Sequence, residues 1–289
     1  MKVLSNQIPF KILSIIKNHI ISYRNYALIK RRTKETNSKF SQYIILRANK
    51  DDFPAILKVM HETFYNQEPT CFSIATKQNY QTEKSLIFVD SQLQKPNQCI
   101  GLKHNSIMDE TVLQKMAEGI TVVARCKNNG CVVGAAINES TNPWDPDLKE
   151  KLACSVQCPK MKHYLLFQAH VQRSPKLWDC FHVQKIFEIS NIFAKGEMKD
   201  PQLMTKLIQE SRSLAADCGY KVVRVNASTP TIASICESLN MKLTAEIPFC
   251  SYLGKNLEPI FNPPHPFESV KIYVDESPQK HLIQTKRKK

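Results

Sequence analysis

The residues that most clearly suggest a ligand-binding site lie between residues 184 and 217, where a predicted strand precedes a predicted helix. Gln184–Ala194 is apolar and rich in isoleucine, which predicts a strand, and Leu203–Asp217 carries apolar residues at helical spacing. The loop that connects them contains Lys199 and Asp200. Free backbone N–H groups and the helix dipole meet at such a joint and favour anions. We therefore expect a phosphate-bearing ligand to bind there.

The segments around this joint predict a mixed α/β fold with about seven strands flanked by helices. Lys127–Gly130 separates two apolar runs, and its Asn-Gly pair tolerates positive φ, so these runs form a hairpin. The predicted strands are Tyr43–Ala48, Ile120–Cys126, Cys131–Asn138, Gln184–Ala194, Tyr220–Val225, Lys242–Leu253 and Ser269–Val274. The predicted helices are Asp51–Tyr65, Gln78–Ser91, Asp109–Ala117, Leu148–Val156, Lys160–Gln172, Leu203–Asp217 and Thr229–Leu239.

Length and composition favour one domain with short extensions. The chain has 289 residues, 42% of them hydrophobic, and no run of about 18 apolar residues that would predict a membrane span. Its ten cysteines form no Cys-x-x-Cys pair and accompany no histidine cluster, so we expect no metal site. Scattered cysteines are typical of a reducing compartment, which favours the cytoplasm.

The net charge of +14 is concentrated at the N-terminus. Residues 1–42 contain nine Lys and Arg but one acid, Glu35, and Phe10–Ile21 has an amphipathic pattern. This extension is interpreted as a disordered arm, as a membrane-surface helix, or as a presequence for the mitochondrial matrix. The predicted domain then spans 43–276, followed by a basic tail, 277–289. No recognition motif lies between the basic ends, so we expect no nucleic-acid partner.

Several short motifs occur in a characteristic order along this domain. Asn66–Pro69 follows the first predicted helix, Gly130 and Gly134 belong to the hairpin, and Ser228 precedes Ser238–Met241. Phe249–Tyr252 then comes before Gly254 and Phe261. From about Tyr43 to Val274 this order resembles the GNAT superfamily of N-acetyltransferases, and more narrowly the insect arylalkylamine (dopamine) N-acetyltransferases.

The resemblance implies the GNAT fold and acetyl-CoA as cosubstrate. It implies that the pantetheine arm binds the backbone of Ile192, Phe193 and Ala194. The family's pyrophosphate loop, Arg-Gly-x-Gly-Ile-Ala, falls on residues 199–204, which makes Lys199, Asp200, Gln202, Leu203 and Met204 the corresponding residues. Here Asp200 and Gln202 replace the two glycines that allow backbone N–H groups to approach phosphate. The loop is therefore degenerate, and its chemistry favours an alternative in which Asp200 is the N-cap of a helix that begins at Pro201.

The resemblance also points to three catalytic residues. Glu68 corresponds to the family's base, and Tyr252 and Ser228 are candidates to protonate the leaving thiolate. Each has a structural alternative: Glu68 as a surface carboxylate, Ser228 as the N-cap of the helix that starts near Pro230, and Tyr252 as a core residue. The family's second serine is replaced by Ile232.

Aromatic residues between the motifs predict an acceptor pocket or, equally, ordinary core packing. They are Phe64, Tyr65, Phe72, Tyr164, Phe167 and Trp178. The resemblance thus predicts an acetyl-CoA-dependent N-acetyltransferase that acts on a small amine. The alternatives are a catalytically impaired relative with a binding or regulatory role, and an enzyme that transfers a longer acyl group or modifies a protein lysine. The sequence does not indicate an oligomeric state.

Overall fold

The sheet has seven strands, as the sequence predicts. A computed structural model describes residues 42–74, 106–195, 201–254 and 256–278. Its strands run in the order β1-β2-β3-β4-β5-β7-β6, and only β4 and β5 pair in parallel. Their bounds are β1 Tyr43–Arg47, β2 Val122–Cys126, β3 Val132–Thr141, β4 Ile186–Ala194, β5 Val223–Ala227, β6 Lys242–Pro248 and β7 Ser269–Asp275.

Of the eight α-helices in the described residues, six agree with predicted ones to within a few residues, and the two short helices, Pro69–Phe72 and Leu177–Cys180, were not predicted. The eight are α1 Phe53–Thr63, α2 Pro69–Phe72, α3 Ser106–Ala117, α4 Asp145–Ser155, α5 Pro159–Arg173, α6 Leu177–Cys180, α7 Pro201–Asp217 and α8 Pro230–Ser238. The prediction of a helix over Gln78–Ser91 lies outside the described residues. One strand end is wrong: β6 stops at Pro248 because a 3-10 turn, Phe249–Ser251, follows it. No helix among the described residues is long and apolar enough to cross a membrane.

Apolar side chains on both faces of the sheet build two separate cores. Alternate residues of a strand point to opposite faces, and accordingly Val123 belongs to one core while Val122 and Ala124 belong to the other. The first core includes Ile56 and Met60 of α1, and the second includes helices α7 and α8. The sheet is therefore covered on both faces, and a ligand can enter between the covering layers only where two strands separate.

Such a gap opens between β4 and β5. The two strands pair at only three positions and their ladder ends at Ile189 opposite Val225. On the other side of β4, Ile189 pairs with Asn138 and Asn191 with Ile137, which leaves Ser190 as an extra residue. A β-bulge of this kind bends the strand that carries it. Because the bulge follows the last parallel pair directly, β4 diverges from β5 beyond Ile189.

Candidate active site

The gap between β4 and β5 leads into a cavity of about 600 Å³. Ser190 and Ile192 of β4, Asn226 of β5 and Met204 of α7 contribute to its walls. Residues Thr229–Ile232 at the start of α8 and Phe64–Glu68 after α1 complete much of the lining. Among the described residues, Glu68 is the one charged side chain in this lining. The walls therefore suit a long, uncharged ligand segment. We call this cavity the slot.

The backbone of β4 turns its free hydrogen-bonding groups toward the slot at alternate residues. Lys195 donates its backbone N–H to the carbonyl of Val133, so Lys195 and, two residues earlier, Phe193 face β3. Ile192 and Ala194 therefore face the gap, where no β5 residue pairs with them. Of the three residues predicted to bind the pantetheine arm, Ile192 and Ala194 are thus oriented for it. The backbone of Phe193 points the other way.

The predicted pyrophosphate residues have different surroundings. Met204 lines the slot, Gln202 is exposed in the first turn of α7, and the side chain of Leu203 is fully buried in the core. Helix α7 begins at Pro201, two residues before the predicted Leu203 and at the position that the N-cap interpretation of Asp200 gives. Lys199 and Asp200 lie outside the described residues, so the cap and anion-site interpretations of Asp200 both remain predictions.

Glu68 and Ser228 meet at the inner end of the slot, although 160 positions separate them in the chain. The Ser228 hydroxyl donates a hydrogen bond of 2.6 Å to Oε2 of Glu68. Oε1 of Glu68 accepts from the Thr70 hydroxyl at 2.8 Å and from the Thr70 backbone N–H at 3.4 Å. The carboxylate is therefore held from two sides. Two residues that the sequence singled out separately are thus in direct contact.

The expectation that Ser228 caps α8 is wrong. Thr229 is the N-cap residue, and its hydroxyl oxygen accepts the backbone N–H of Ile232 at 3.4 Å. Both side chains can serve as caps, and the sequence does not separate neighbours that differ by one position. Because Thr229 takes the structural role, the Ser228 hydroxyl is available to Glu68.

Burial raises the pKa of Glu68, whereas its hydrogen bonds to Ser228 and Thr70 lower it. A general base must be ionised, so turnover should decline as the pH falls through this raised pKa. Ser228→Ala removes one hydrogen bond that favours the carboxylate, and we expect it to move the acidic limb of kcat/KM to higher pH. A pH–rate profile of both proteins checks this. An unchanged limb would show that Glu68 does not control it.

A second cavity, of about 60 Å³, lies on the other side of Glu68 and Ser228. It shares Phe64, Ser190 and Asn226 with the slot. Its remaining walls mix aromatic residues with charged ones: Tyr164, Phe167, Lys115, Lys149, Glu139 and Glu188. Of the six aromatic residues predicted for an acceptor pocket, Phe64, Tyr164 and Phe167 line this cavity. We call it the acceptor cavity.

Tyr252 lies away from both cavities, immediately after the 3-10 turn and not on a strand as predicted. Its ring packs on Phe167 and Phe261 at 5.0 and 6.0 Å between centroids. This is the contact pattern of a core residue. We expect Tyr252→Phe to keep kcat within about threefold of wild type, whereas loss of a general acid costs about 10²-fold or more. Steady-state kinetics of the variant decides between the two.

The sequence analysis missed two polar residues of the acceptor cavity, Glu188 and Asn226. The signal was present around β5, where Arg224, Asn226 and, one residue past the strand, Ser228 alternate with apolar residues. Polar residues at every second position of a buried strand must share one face and find partners there. No group of three or more His, Cys, Asp or Glu side chains that could hold a metal ion occurs in the described part of the chain.

Comparison with known structures identifies the fold. A mosquito arylalkylamine N-acetyltransferase-like 5b covers 81% of this chain and 99% of its own, with a TM-score of 0.69 and 17% identity. Arylalkylamine N-acetyltransferase 2 from Aedes aegypti covers 82% of this chain and 99% of its own, with a TM-score of 0.65 and 21% identity. A Drosophila melanogaster polyamine N-acetyltransferase covers 81% of this chain and 99% of its own, with a TM-score of 0.66 and 15% identity. No protein-family model matches the sequence, and no curated protein matches it. The chain thus has the GNAT fold, as its sequence predicts.

Proposed function

We propose that this protein is an acetyl-CoA-dependent N-acetyltransferase that acts on a small amine. The observation that carries the proposal is the Glu68–Ser228 hydrogen bond of 2.6 Å, placed where the slot meets the acceptor cavity. A base and a hydroxyl at the junction of two cavities can serve a reaction between two ligands that enter separately. The structures with the same fold include enzymes named for arylalkylamines, agmatine and polyamines, which supports a small amine as acceptor.

The slot suits the pantetheine arm of acetyl-CoA. That arm is uncharged and rich in amides, and the slot offers uncharged walls together with the outward-facing backbone groups of Ile192 and Ala194. When bound, acetyl-CoA supplies an acetyl group as a reactive thioester. The gap between β4 and β5 is open over the residues beyond Ile189, so the chain does not need to move there to admit an extended ligand.

The residues at the junction can accept and donate the protons that the reaction transfers. An acceptor ammonium loses two protons in total: one is released to water and the other ends on the sulfur of the leaving thiol. Glu68, with its raised pKa, takes a proton from the amine so that the nitrogen can attack the thioester carbon. A C–N bond forms and the C–S bond breaks. The Ser228 hydroxyl can protonate the thiolate and recover a proton from Glu68 through their hydrogen bond.

Turnover by the purified full chain tests the proposal. The protein is mixed with acetyl-CoA and a panel of arylalkylamines, diamines and agmatine, and thiol release is measured together with the acetylated product. We expect amine-dependent thiol release with stoichiometric product. If acetyl-CoA binds but no amine is acetylated, the protein is a non-catalytic relative. If longer acyl-CoA donors alone react, the acyl group has been assigned wrongly.

A further inference from the structure

Two carboxylates accept hydrogen bonds from side chains at the end of strand β5. Arg224 and Asn226 share one face of the strand, because side chains two positions apart point the same way, and Ser228 directly follows the last strand residue, Ala227. Ser228 binds Glu68 at 2.6 Å, and the side-chain amide of Asn226 donates to Oε1 of Glu188 at 2.8 Å. Both carboxylates line the acceptor cavity. Asn226 and Ser228, which donate to these carboxylates, are two positions apart, about 7 Å along an extended chain.

Two cations fix the direction in which the amides around Glu188 point. Lys149 donates to Oε1 of Gln172 at 2.9 Å, so the NH₂ group of Gln172 faces Oε2 of Glu188, at 3.0 Å. Arg224 donates to Oδ1 of Asn226 at 2.8 Å, so the NH₂ group of Asn226 faces the other Glu188 oxygen. Flipping either amide would set a donor against a cation. Both oxygens of Glu188 therefore accept hydrogen bonds from amide donors.

Among the described residues, no cation is in direct contact with Glu188. The residue is 2% exposed, yet it takes part in none of the ion pairs found among the described residues. Its neighbour across the ladder, Glu139, is by contrast paired with Lys115 at 2.7 Å. Lys149 and Arg224 act on Glu188 through amides, which leaves lone pairs of the carboxylate unused. A buried carboxylate with unused lone pairs can accept hydrogen bonds from a cationic ligand.

The geometry points to Glu188 as the residue that binds the positive charge of the acceptor amine. This inference rests on the proposed function, since it concerns the acceptor of the same reaction. The amine enters as an ammonium, is held by Glu188, and gives its proton to Glu68. The acceptors are therefore amines that are protonated at the assay pH. Arylamines, whose nitrogen is neutral there, gain nothing from Glu188.

Calorimetric titration without acetyl-CoA tests the inference. Wild type is titrated with an alkylammonium salt and with the alcohol of the same length, and so are Glu188→Gln, Glu188→Asp and the control Glu150→Gln, an exposed carboxylate paired with Arg173. We expect Glu188→Gln to bind the ammonium about 30-fold more weakly and to lose the preference over the alcohol. Glu188→Asp, which keeps the charge, should retain that preference, and Glu150→Gln should match wild type. Retained acetyl-CoA binding shows that each variant is folded.

Kinetics then separates this inference from the proposed function. For alkylamines, Glu188→Gln should raise KM about 30-fold and change kcat little, whereas the kinetics with an arylamine should not change. If wild type turns over but Glu188→Gln has an unaltered KM and an unaltered preference for the ammonium, the inference is wrong and the function stands. If no amine is acetylated but Glu188→Gln loses ammonium binding, the inference stands and the proposed function is wrong.

Discussion

Glu68→Gln is expected to lower kcat by about 10²- to 10⁴-fold, the range for removal of a general base. Glutamine has the size of glutamate, and its carbonyl oxygen can still accept hydrogen bonds from Ser228 or Thr70. What it lacks is a basic oxygen that can take the proton of the amine. The substitution therefore tests chemistry and leaves the shape of the junction nearly intact. Stopped-time assays of thiol release at saturating amine measure the effect.

Glu150→Gln is the matched control, because this carboxylate is 42% exposed and its oxygen pairs with Arg173 on the surface. Its kcat should equal that of wild type. A Glu68→Gln protein that folds, binds acetyl-CoA and keeps kcat within about threefold would remove Glu68 from the mechanism. The base would then have to be sought elsewhere in the acceptor cavity.

Arg224→Ala should lower the free energy of unfolding by about 3–5 kcal/mol, a large part of the 5–15 kcal/mol typical of a domain. Arg224 is fully buried and donates to Asn226, to the Val171 carbonyl at 2.7 Å and to the Gln172 carbonyl at 3.1 Å. It thereby ties α5, which carries Tyr164 and Phe167, to the sheet. Removal leaves buried acceptors without donors and the Glu188 charge without its nearby counter-charge. Thermal unfolding should show a Tm about 10 °C lower.

Arg173→Ala is the control for this prediction. Arg173 makes two side-chain hydrogen bonds, to Asp147 and Glu150, but its side chain is 48% exposed. Surface ion pairs contribute about 1 kcal/mol or less, so this variant should unfold close to wild type. If both arginine variants unfolded at the same temperature, the buried network would not be the structural tie that its geometry indicates.

The strands and helices could be predicted because local patterns determine them. Pro201 marks the start of α7 and Gly130 the turn of the hairpin, where its φ is +69°. The number of strands was predicted, whereas their order within the sheet was not. The end of β6 could not be predicted, because residues 249–253 continue its apolar pattern while the chain turns.

The candidate site was predictable only in part. The motif order indicated Glu68 and Ser228, and the structure brings them together. The sequence could not indicate that Ser190 forms a β-bulge, since bulges depend on pairing register and not on residue type alone. The roles of Glu188 and Asn226 follow from side-chain hydrogen bonds between strands and helices far apart in sequence. Such partners are visible only after the fold is known.

Calorimetric titration of three proteins with acetyl-CoA determines whether the slot binds this cosubstrate. Ile192→Trp fills the slot from β4, and Leu243→Trp adds the same side chain at a 46%-exposed position of β6. We expect saturable one-site binding to wild type and to Leu243→Trp, with at least a tenfold loss of affinity in Ile192→Trp (about 1.4 kcal/mol). Absence of binding to wild type at millimolar acetyl-CoA, or equal binding to all three proteins, would contradict this expectation.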